Sequence, residues 1–398
     1  MNEPRGEHRA QVEAALRATA IHSPTSYSWF GAPSPPLAAK VRRALSTAAD
    51  HEYLHVMLRS QLYTDCFCRG AASPPAAGVV GLPAVEMAAF VEALSAANDG
   101  RGRWEDGWEV LAIGDGGVAV RKDGLEVWAR REDCRAAGTG AMALGARVCL
   151  RLPRESPARS PGYYVALGDA EDVAGTGQTV VRLYWHLTAE GAMPFVRLAT
   201  AMLNRARLPF TLKVVNHPGR FTRCDAAVVY LARRDFAAAA EVLGELYPEM
   251  SGGLRPATPV FTKRLAPGLG LAEDPSEGPS FGLQRCQLLA EGMIRAYEAG
   301  ARTLDGRMRA VEERFAEAGV NLDEPFLNPG SRDEYAFQMD RPRAGAGRGA
   351  GETHYEDTDG GALTTESTER QREGWNGTAE DAEGRGAEPE RRRGMKPQ

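Results

Sequence analysis

The spacing of the apolar residues changes once along the chain, near Trp104, and this change constrains the fold more than any other feature. Before it, residues 7–20 and 37–63 carry apolar side chains at every third or fourth position, which predicts helices, and a third helix is predicted over 83–97. After it, short apolar runs of alternating or continuous pattern predict strands. Because helices follow and interrupt these strands without regular alternation, we predict an α+β fold.

Turn residues separate the predicted strands. Asp123-Gly124 joins two of them and is typical of a hairpin turn. The predicted strands are WEVLAIGD, GGVAVRKD, GLEVWARRE, ARVCLRL, YYVALGD, VVRLYWHL, FTLKVVN and AAVVYLA. Further helices are predicted over 194–205, 235–247, 281–299 and 304–318. We predict a rigid Pro/Ser/aromatic connector over 22–36 and a Gly/Pro-rich loop over 251–280.

Three regions follow from these patterns. Residues 1–103 form a helical N-terminal region, predicted to pack on a mixed or antiparallel sheet domain with C-terminal helices over 104–330. Residues 331–398 are predicted to be a disordered tail. From about Arg341 the composition collapses into Gly, Glu, Arg, Thr and Asp, which cannot bury enough apolar surface to offset the entropy of the chain.

Charge and targeting patterns exclude several classes of protein. The 398 residues carry 48 Lys and Arg against 53 Asp and Glu, a net charge of -5, which argues against a general binder of nucleic acid. No apolar run is long enough for a transmembrane helix, and the N-terminus lacks the apolar core of a secretory signal. Six scattered cysteines indicate reduced thiols, so we expect a cytoplasmic protein without a membrane partner.

The common catalytic and metal-binding motifs are absent. No phosphate-binding loop, zinc-protease motif or nucleophile elbow occurs, and Gly114-Asp-Gly116-Gly117 lies in a hairpin context. His51 and His55 share one helical face, but no third ligand accompanies them, so we predict no metal site.

Charged residues interrupt the apolar runs between Arg182 and Arg285, where a charge is costly unless it is paired or used. Strand alternation places Arg182, Tyr184 and His186 on one face. The other polar residues of this predicted cluster are Lys213, Asn216, His217, Arg220, Arg223, Lys263 and Arg264.

Two lysines, Lys213 and Lys263, fall in this region of a chain that has only five lysines among its 48 basic residues. Arginine cannot give up its proton, whereas lysine can act as a base if burial or neighbouring cations lower its pKa. Lysine at these positions therefore indicates a site that needs an amine base. The alternative is that Lys213 pairs with a carboxylate such as Asp225 and that Lys263 is simply exposed.

Several segments between about residues 20 and 320 resemble the lyase family related to the Hop-type bacterial type III effectors. In actinomycetes, members of that family serve the biosynthesis of class V lanthipeptides and thioamitides. The segments occur in the family's order and do not extend into the tail. They are SPTSYSWFG, YYVALGD, VRLYWHLTAEGA, PFTLKVVNHPGRFTRCDAAVVYLARRDF, PVFTKRLAPGLGLAEDP and SFGLQRCQLLAEGM.

The resemblance implies a phosphothreonine or phosphoserine lyase. A partner kinase would phosphorylate a ribosomal precursor peptide, and the lyase would remove phosphate by β-elimination to leave dehydroalanine or dehydrobutyrine. No metal or organic cofactor is required.

The resemblance also implies roles for individual residues. Lys213 becomes the candidate base, and Tyr184 and Asn216 become candidates for positioning substrate, with core packing as the alternative for Tyr184. His186 and His217 are candidate acids, although the family pattern has Asn and Asp at these positions. The candidate phosphate ligands are Arg182, Arg220, Arg223, Lys263 and Arg285.

Two other functions remain open at this point. The chain could be a non-catalytic partner of a peptide kinase that binds the phosphorylated precursor, which would keep the arginines but make no demand on Lys213. It could also be an effector-like protein that acts on host phosphoproteins, which would require export.

Overall fold

Seven α-helices and three antiparallel sheets make up the part of the chain that the computed structural model describes, residues 6–36, 47–75, 81–138, 140–156, 159–170, 178–275 and 277–337. These residues belong to one compact unit, Met1–Pro342. The predicted α+β fold is confirmed. The helices are α1 (Glu7–Ala18), α2 (Thr47–Asp65), α3 (Ala84–Ala97), α4 (Ala192–Arg205), α5 (Phe236–Met250), α6 (Phe281–Glu298) and α7 (Leu304–Glu317).

The largest sheet has six strands, and every neighbouring pair runs antiparallel. Its strands are β9 (Tyr163–Leu167), β10 (Val180–Trp185), β11 (Thr211–Val215), β12 (Ala227–Ala232), β13 (Lys263–Ala266) and β14 (Leu269–Glu273). They lie in the order β13-β14-β10-β12-β11-β9. The strands predicted as YYVALGD, VVRLYWHL, FTLKVVN and AAVVYLA are therefore neighbours in one sheet.

Helices cover both faces of this sheet. Two neighbouring residues of β10 show this, since successive side chains of a strand point to opposite faces. Trp185 packs on Phe195 of α4 and Tyr247 of α5, with ring centroids 4.8 and 6.2 Å away. Its neighbour Tyr184 packs on the other side against Phe281 of α6. One buried cluster contains all these aromatic residues, and the N-terminal helices contribute to it as well.

A second sheet of five strands has its own small buried cluster. Its strands are β4 (Arg103–Gly114), β5 (Gly117–Lys122), β6 (Leu125–Ala129), β7 (Cys134–Ala136) and β8 (Arg147–Leu152), in the order β6-β5-β4-β8-β7. The predicted hairpin is confirmed, since Asp123 and Gly124 join β5 to β6 with φ values of 50° and 80°. Positive φ at both turn positions matches the right-handed twist of the flanking strands.

Two segments predicted to lack regular structure form strands instead. The segment predicted as a connector forms most of a small sheet of β1 (Thr19–Ser23), β2 (Ser26–Trp29) and β3 (Ala32–Pro33). The predicted Gly/Pro-rich loop contains the β13–β14 hairpin. Packing explains its glycine content, because a Cβ on Gly270 would lie 2.6 Å from Thr262 Oγ1. The strand therefore needs glycine at this position because Thr262 lies so close, and its composition resembles that of a loop.

Two predictions lie partly or wholly outside the described residues. These are the start of the second predicted helix, 37–46, and the disordered tail from residue 338 onward. None of the helices in the described ranges is long and apolar enough to span a membrane.

Candidate functional site

Strand register brings four polar side chains to one face of the large sheet. Arg182 of β10 lies opposite Tyr230 of β12, and both Tyr184 of β10 and Lys213 of β11 lie opposite Val228 of β12. Because cross-strand partners share a face, Arg182, Tyr184, Lys213 and Tyr230 all point to the same side. We call these four residues the Lys213 cluster.

Two cations of the cluster contact the same aromatic ring. The guanidinium carbon of Arg182 lies 5.0 Å from the centroid of the Tyr230 ring, and Nζ of Lys213 lies 5.3 Å from it. The face of an aromatic ring attracts cations, so Tyr230 can hold both side chains near one another. One carboxylate, Asp274, balances part of this charge at 2.8 Å from Arg182 Nη2.

Two hydrogen-bond donors of the cluster are buried without an acceptor among the described residues, Nε of Arg182 and Oη of Tyr184. Burial raises the pKa of Tyr184, so its phenol keeps its proton at neutral pH. The Tyr184 ring itself is core, since it is 2% exposed and packs on Phe67 and Phe281. Buried donors are normally satisfied, and these two exceptions lie together on the sheet face that carries Lys213.

A buried ion pair lies beside the cluster, in the loop just before β12. Asp225 is 4% exposed and accepts hydrogen bonds from Nε and Nη2 of Arg223 at 2.5 and 2.7 Å. Burial alone would raise the pKa of Asp225, but the Arg223 guanidinium outweighs it and holds this pKa below its ordinary value. The Asp225 carboxylate, which the sequence offered as a partner for Lys213, is thus held by Arg223. Because its charge is balanced here, we assign Arg223 a supporting role and not that of a phosphate clamp.

Tyrosine side chains enclose this ion pair. The Arg223 guanidinium lies 5.9 Å from the ring centroid of Tyr63 in α2 and 5.8 Å from that of Tyr163 in β9. Its Nη2 also lies 3.3 Å from Tyr63 Oη. The pair therefore links the loop before β12 to α2 and to the edge strand β9.

Lys263 lies on the other face of the sheet and Arg285 is held by backbone carbonyls, contrary to the sequence-based prediction of two phosphate ligands. Lys263 is opposite Leu271, on the other face of the sheet, and its Nζ bonds Asp333 Oδ2 at 2.6 Å. Arg285 is 0% exposed, and its Nε and Nη2 donate to the carbonyls of Pro325 and Leu327 at 2.7 and 2.8 Å. Both cations therefore anchor the segment after α7, and neither is placed to bind phosphate at the cluster.

The loop after β11 carries the remaining predicted residues. The His217 ring accepts a hydrogen bond from the Gly219 N–H through Nδ1 at 3.0 Å and is 6% exposed, so it caps the following turn. Asn216 is half-buried, and its backbone N–H donates to the Gly162 carbonyl oxygen. Arg220 is exposed, and its Nη1 lies near Gly162, next to Tyr163. Arg220 is thus at the solvent-facing rim of the site.

His186 follows β10 and is buried with one ring nitrogen unsatisfied. Its Nδ1 lies 3.0 Å from the Ala257 carbonyl oxygen, while Nε2 has no hydrogen-bond partner among the described residues. Burial lowers the pKa of His186 below the ordinary value of 6.5. The ring is therefore neutral at pH 7, which does not suit a proton donor to a leaving group.

Protonation of His186 makes the stability of the protein depend on pH. Below pH 6.5 the His186 ring is protonated in the unfolded chain but not in the folded protein. The free energy of unfolding therefore decreases as the pH is lowered, until the pH reaches the pKa of the folded state. We expect His186→Gln to reduce the pH dependence of the free energy of unfolding, measured by urea unfolding between about pH 6.5 and 5. Since burial also lowers the pKa of His55, a reduced slope will remain. An unchanged slope would show that His186 does not titrate as described.

Two members of the site were not identified from the sequence. Tyr230 is the one aromatic residue of the AAVVYLA run, and Asp274 follows β14, a strand in the segment predicted to be a loop. Tyr230 could have been noticed as the one phenol in an otherwise apolar run, but its contact with two cations depends on strand order.

Metal ligands and reactive thiols do not converge here. Within the described ranges, no group of three or more His, Cys, Asp or Glu side chains could hold a metal ion. All six cysteines are free and buried, and burial raises the pKa of Cys66 to about 12. This thiol is therefore protonated and unreactive at neutral pH.

Comparison with known proteins adds a family match. The model of the HopA1 effector protein family matches residues 154–327. No curated protein sequence matches the chain.

Two solved structures of effector proteins from Pseudomonas syringae are also similar to this chain. The protein from pathovar tomato strain DC3000 is 14% identical, with a TM-score of 0.41, over 72% of this chain and 99% of its own. The protein from pathovar syringae strain 61 is 15% identical, with a TM-score of 0.43, over 82% of this chain and 99% of its own. The part of the chain that contains the large sheet and the Lys213 cluster, residues 154–327, thus matches the HopA1 effector protein family.

Proposed function

We propose that the protein is a phosphothreonine or phosphoserine lyase, and that the Lys213 cluster is its active site. The observation that carries this proposal is the pair of unsatisfied buried donors, Arg182 Nε and Tyr184 Oη, on the same sheet face as Lys213. A phosphate monoester supplies acceptor oxygens for such donors and a negative charge for the neighbouring cations. The sequence resemblance to phospholyases supports the same reaction.

The reaction needs a base, a place for negative charge and a bound leaving group. The neutral amine of Lys213 would take the Cα proton, and the electrons of that bond would form the Cα–Cβ double bond. The Cβ–O bond would break, and its electrons would leave with the phosphate. Arg182 and Tyr184 would hold the phosphate oxygens, while Tyr230 would keep the side chains of Arg182 and Lys213 in place.

Arg182 is expected to contribute strongly to phosphopeptide binding. Removing a hydrogen bond to a charged group costs about 1.5–3 kcal/mol, so Arg182→Ala should raise the Kd for a phosphothreonine peptide by roughly 10- to 150-fold. Fluorescence anisotropy with the phosphorylated peptide and its unphosphorylated twin measures this change. The matched control is Arg121→Ala, which removes an exposed arginine of β5 in the five-stranded sheet. An unchanged Kd for Arg182→Ala would remove this residue from the phosphate site.

A mass assay tests the activity itself. The purified chain is incubated with a phosphothreonine precursor-like peptide, and elimination is expected to yield a peptide lighter by one phosphoric acid. A phosphatase would instead return the unmodified threonine peptide, and a non-catalytic binding partner of a kinase would leave the mass unchanged.

A second candidate function is that of an effector-like protein acting on a host phosphoprotein. The family match over residues 154–327 favours it, because that family is described as effector proteins. The same mass assay distinguishes the substrates, with a folded phosphoprotein in place of the precursor-like peptide. Faster elimination from the folded phosphoprotein would favour the effector-like function.

A further inference from the structure

The strand β6 lies at the edge of the five-stranded sheet. It pairs with β5 and ends the order β6-β5-β4-β8-β7, so no strand of the described residues pairs with its other side. All but the last of its five residues are exposed, and its one charged residue is Glu126. Proline, lysine or a bulge commonly protects a sheet edge from pairing with another chain, and β6 has none of these.

The turn before β6 determines which of its backbone groups point outward. Both residues between Lys122 and Leu125 have positive φ, so Lys122 and Leu125 close the turn as a hydrogen-bonded pair. Hydrogen-bonded and non-hydrogen-bonded pairs then alternate along the antiparallel ladder. The N–H and C=O groups of Glu126 and Trp128 therefore point away from β5. Within the described ranges, no hydrogen bond reaches these four groups.

One symmetric register of two β6 strands uses all four outward groups. When two copies pair antiparallel about a twofold axis at Val127, Glu126 of each copy forms a hydrogen-bonded pair with Trp128 of the other. An axis at Glu126 would instead place two carboxylates opposite each other. An axis at Trp128 would need the backbone of Arg130, whose carbonyl already accepts from the Asp133 N–H at 3.0 Å.

The apolar side chains of β6 suit the register with its axis at Val127. Val127 lies opposite the fully buried Val120 of β5, on the face that holds the core of this sheet. In the symmetric pair, the two copies of Val127 are in contact, and Leu125 lies opposite Ala129. Leu125 and Val127 are 61% and 38% exposed in a single copy, so the pairing covers apolar surface that now faces water.

The charged side chains near β6 complement one another in the same register. Arg130 of the second copy becomes a diagonal neighbour of Glu126, next to Trp128. In a single copy both charges make only exposed ion pairs, Glu126 with Arg121 at 3.7 Å and Arg130 with Glu132 at 3.7 Å. Such pairs contribute little stability, so they can rearrange when two copies meet. A second copy thus brings an opposite charge to each.

We propose that β6 pairs antiparallel with β6 of a second copy of this chain, about a twofold axis at Val127, and joins two five-stranded sheets into one. The inference does not rest on the proposed lyase activity, because it concerns a different sheet and requires no chemistry. The pairing strands are short and the interface is small, so we expect reversible association at about micromolar concentrations.

Sedimentation velocity of the full chain between about 1 and 100 μM tests the association. We expect the mass to rise from 42.9 kDa towards twice that value as the concentration increases. Val127→Asp places two carboxylates at the axis and should weaken the association by about tenfold or more. The matched control is Leu144→Asp, at a 70% exposed position outside β6, which should not change it. A monomer throughout, or a dimer that Val127→Asp leaves unchanged, would overturn the proposal.

An engineered disulfide tests the register and does not depend on the folding of the aspartate variant. In Val127→Cys the two Cα atoms at the axis are expected about 4.5 Å apart, within the range of a disulfide. In Leu125→Cys they are about 13 Å apart along the strands, which is too far. Oxidised glutathione accepts the two electrons and two protons of the thiols, and the six native cysteines are buried. We expect a covalent dimer from Val127→Cys alone. No cross-link there, or an equal one from Leu125→Cys, would overturn the proposal.

Discussion

Replacing Lys213 by arginine is expected to lower the rate of phosphate elimination by about 10²–10⁴-fold, the usual contribution of a general base. Arginine places a permanent positive charge beside Tyr230 and cannot give up its proton at usable pH. Phosphopeptide binding should therefore survive while turnover is lost. Single-turnover mass spectrometry measures the rate, and anisotropy with the same peptide measures the Kd.

The matched control for this variant is Lys122→Arg. Lys122 lies in β5 of the five-stranded sheet, away from the large sheet, so the same chemical change there should leave elimination at the parental rate. If Lys213→Arg turns over nearly as fast as the parent chain, Lys213 is not the base. If both Kd and rate collapse, the lysine serves binding and another group must take the Cα proton.

Truncating Asp225 to alanine is expected to lower the free energy of unfolding by about 3 kcal/mol. The change leaves the Arg223 guanidinium partly buried without its carboxylate. The destabilisation from this uncompensated charge is larger than the net stabilisation that the intact ion pair provides. We place the effect at the lower end of the usual range, because the Arg223 side chain is 24% exposed and can gain some hydration. Urea unfolding followed by circular dichroism measures the change.

An exposed ion pair provides the comparison for Asp225. Glu132 lies 3.7 Å from Arg130, and the two side chains are 70% and 80% exposed. Glu132→Ala should shift the free energy of unfolding by no more than about 0.5 kcal/mol. If Asp225→Ala is as mild as Glu132→Ala, the buried pair does not stabilise the site in the manner described.

Local sequence patterns were sufficient for elements whose signals lie within a few residues. β-branched runs such as AAVVYLA specify strands, and Asp123-Gly124 specifies its hairpin because both positions need positive φ. The β13–β14 hairpin escaped detection because Gly268 and Gly270 meet tertiary requirements, a turn with φ of 77° and close packing on Thr262. Such glycines resemble loop residues until the neighbouring backbone is known.

The composition of the site was harder to predict than its location. The sequence directed attention to the strands around Lys213, where Arg182 and Tyr184 do join it. The pairing of Arg182 with Tyr230 depends on β10 and β12 being neighbours, which their order in the chain does not reveal. Arg285 resembled a phosphate ligand because its acceptors, the carbonyls of Pro325 and Leu327, lie far along the chain. Long-range contacts therefore decide which basic residues are structural and which are available.

We propose that the Lys213 cluster breaks the Cβ–O bond of a phosphorylated residue. The most direct measurement is incubation with a phosphothreonine peptide in water enriched in heavy oxygen, followed by mass analysis of both products. Elimination breaks the carbon–oxygen bond, so we predict a dehydrobutyrine peptide and phosphate without solvent oxygen. A threonine peptide together with phosphate carrying one solvent oxygen would show cleavage at phosphorus and would contradict the account, as would recovery of the intact phosphopeptide.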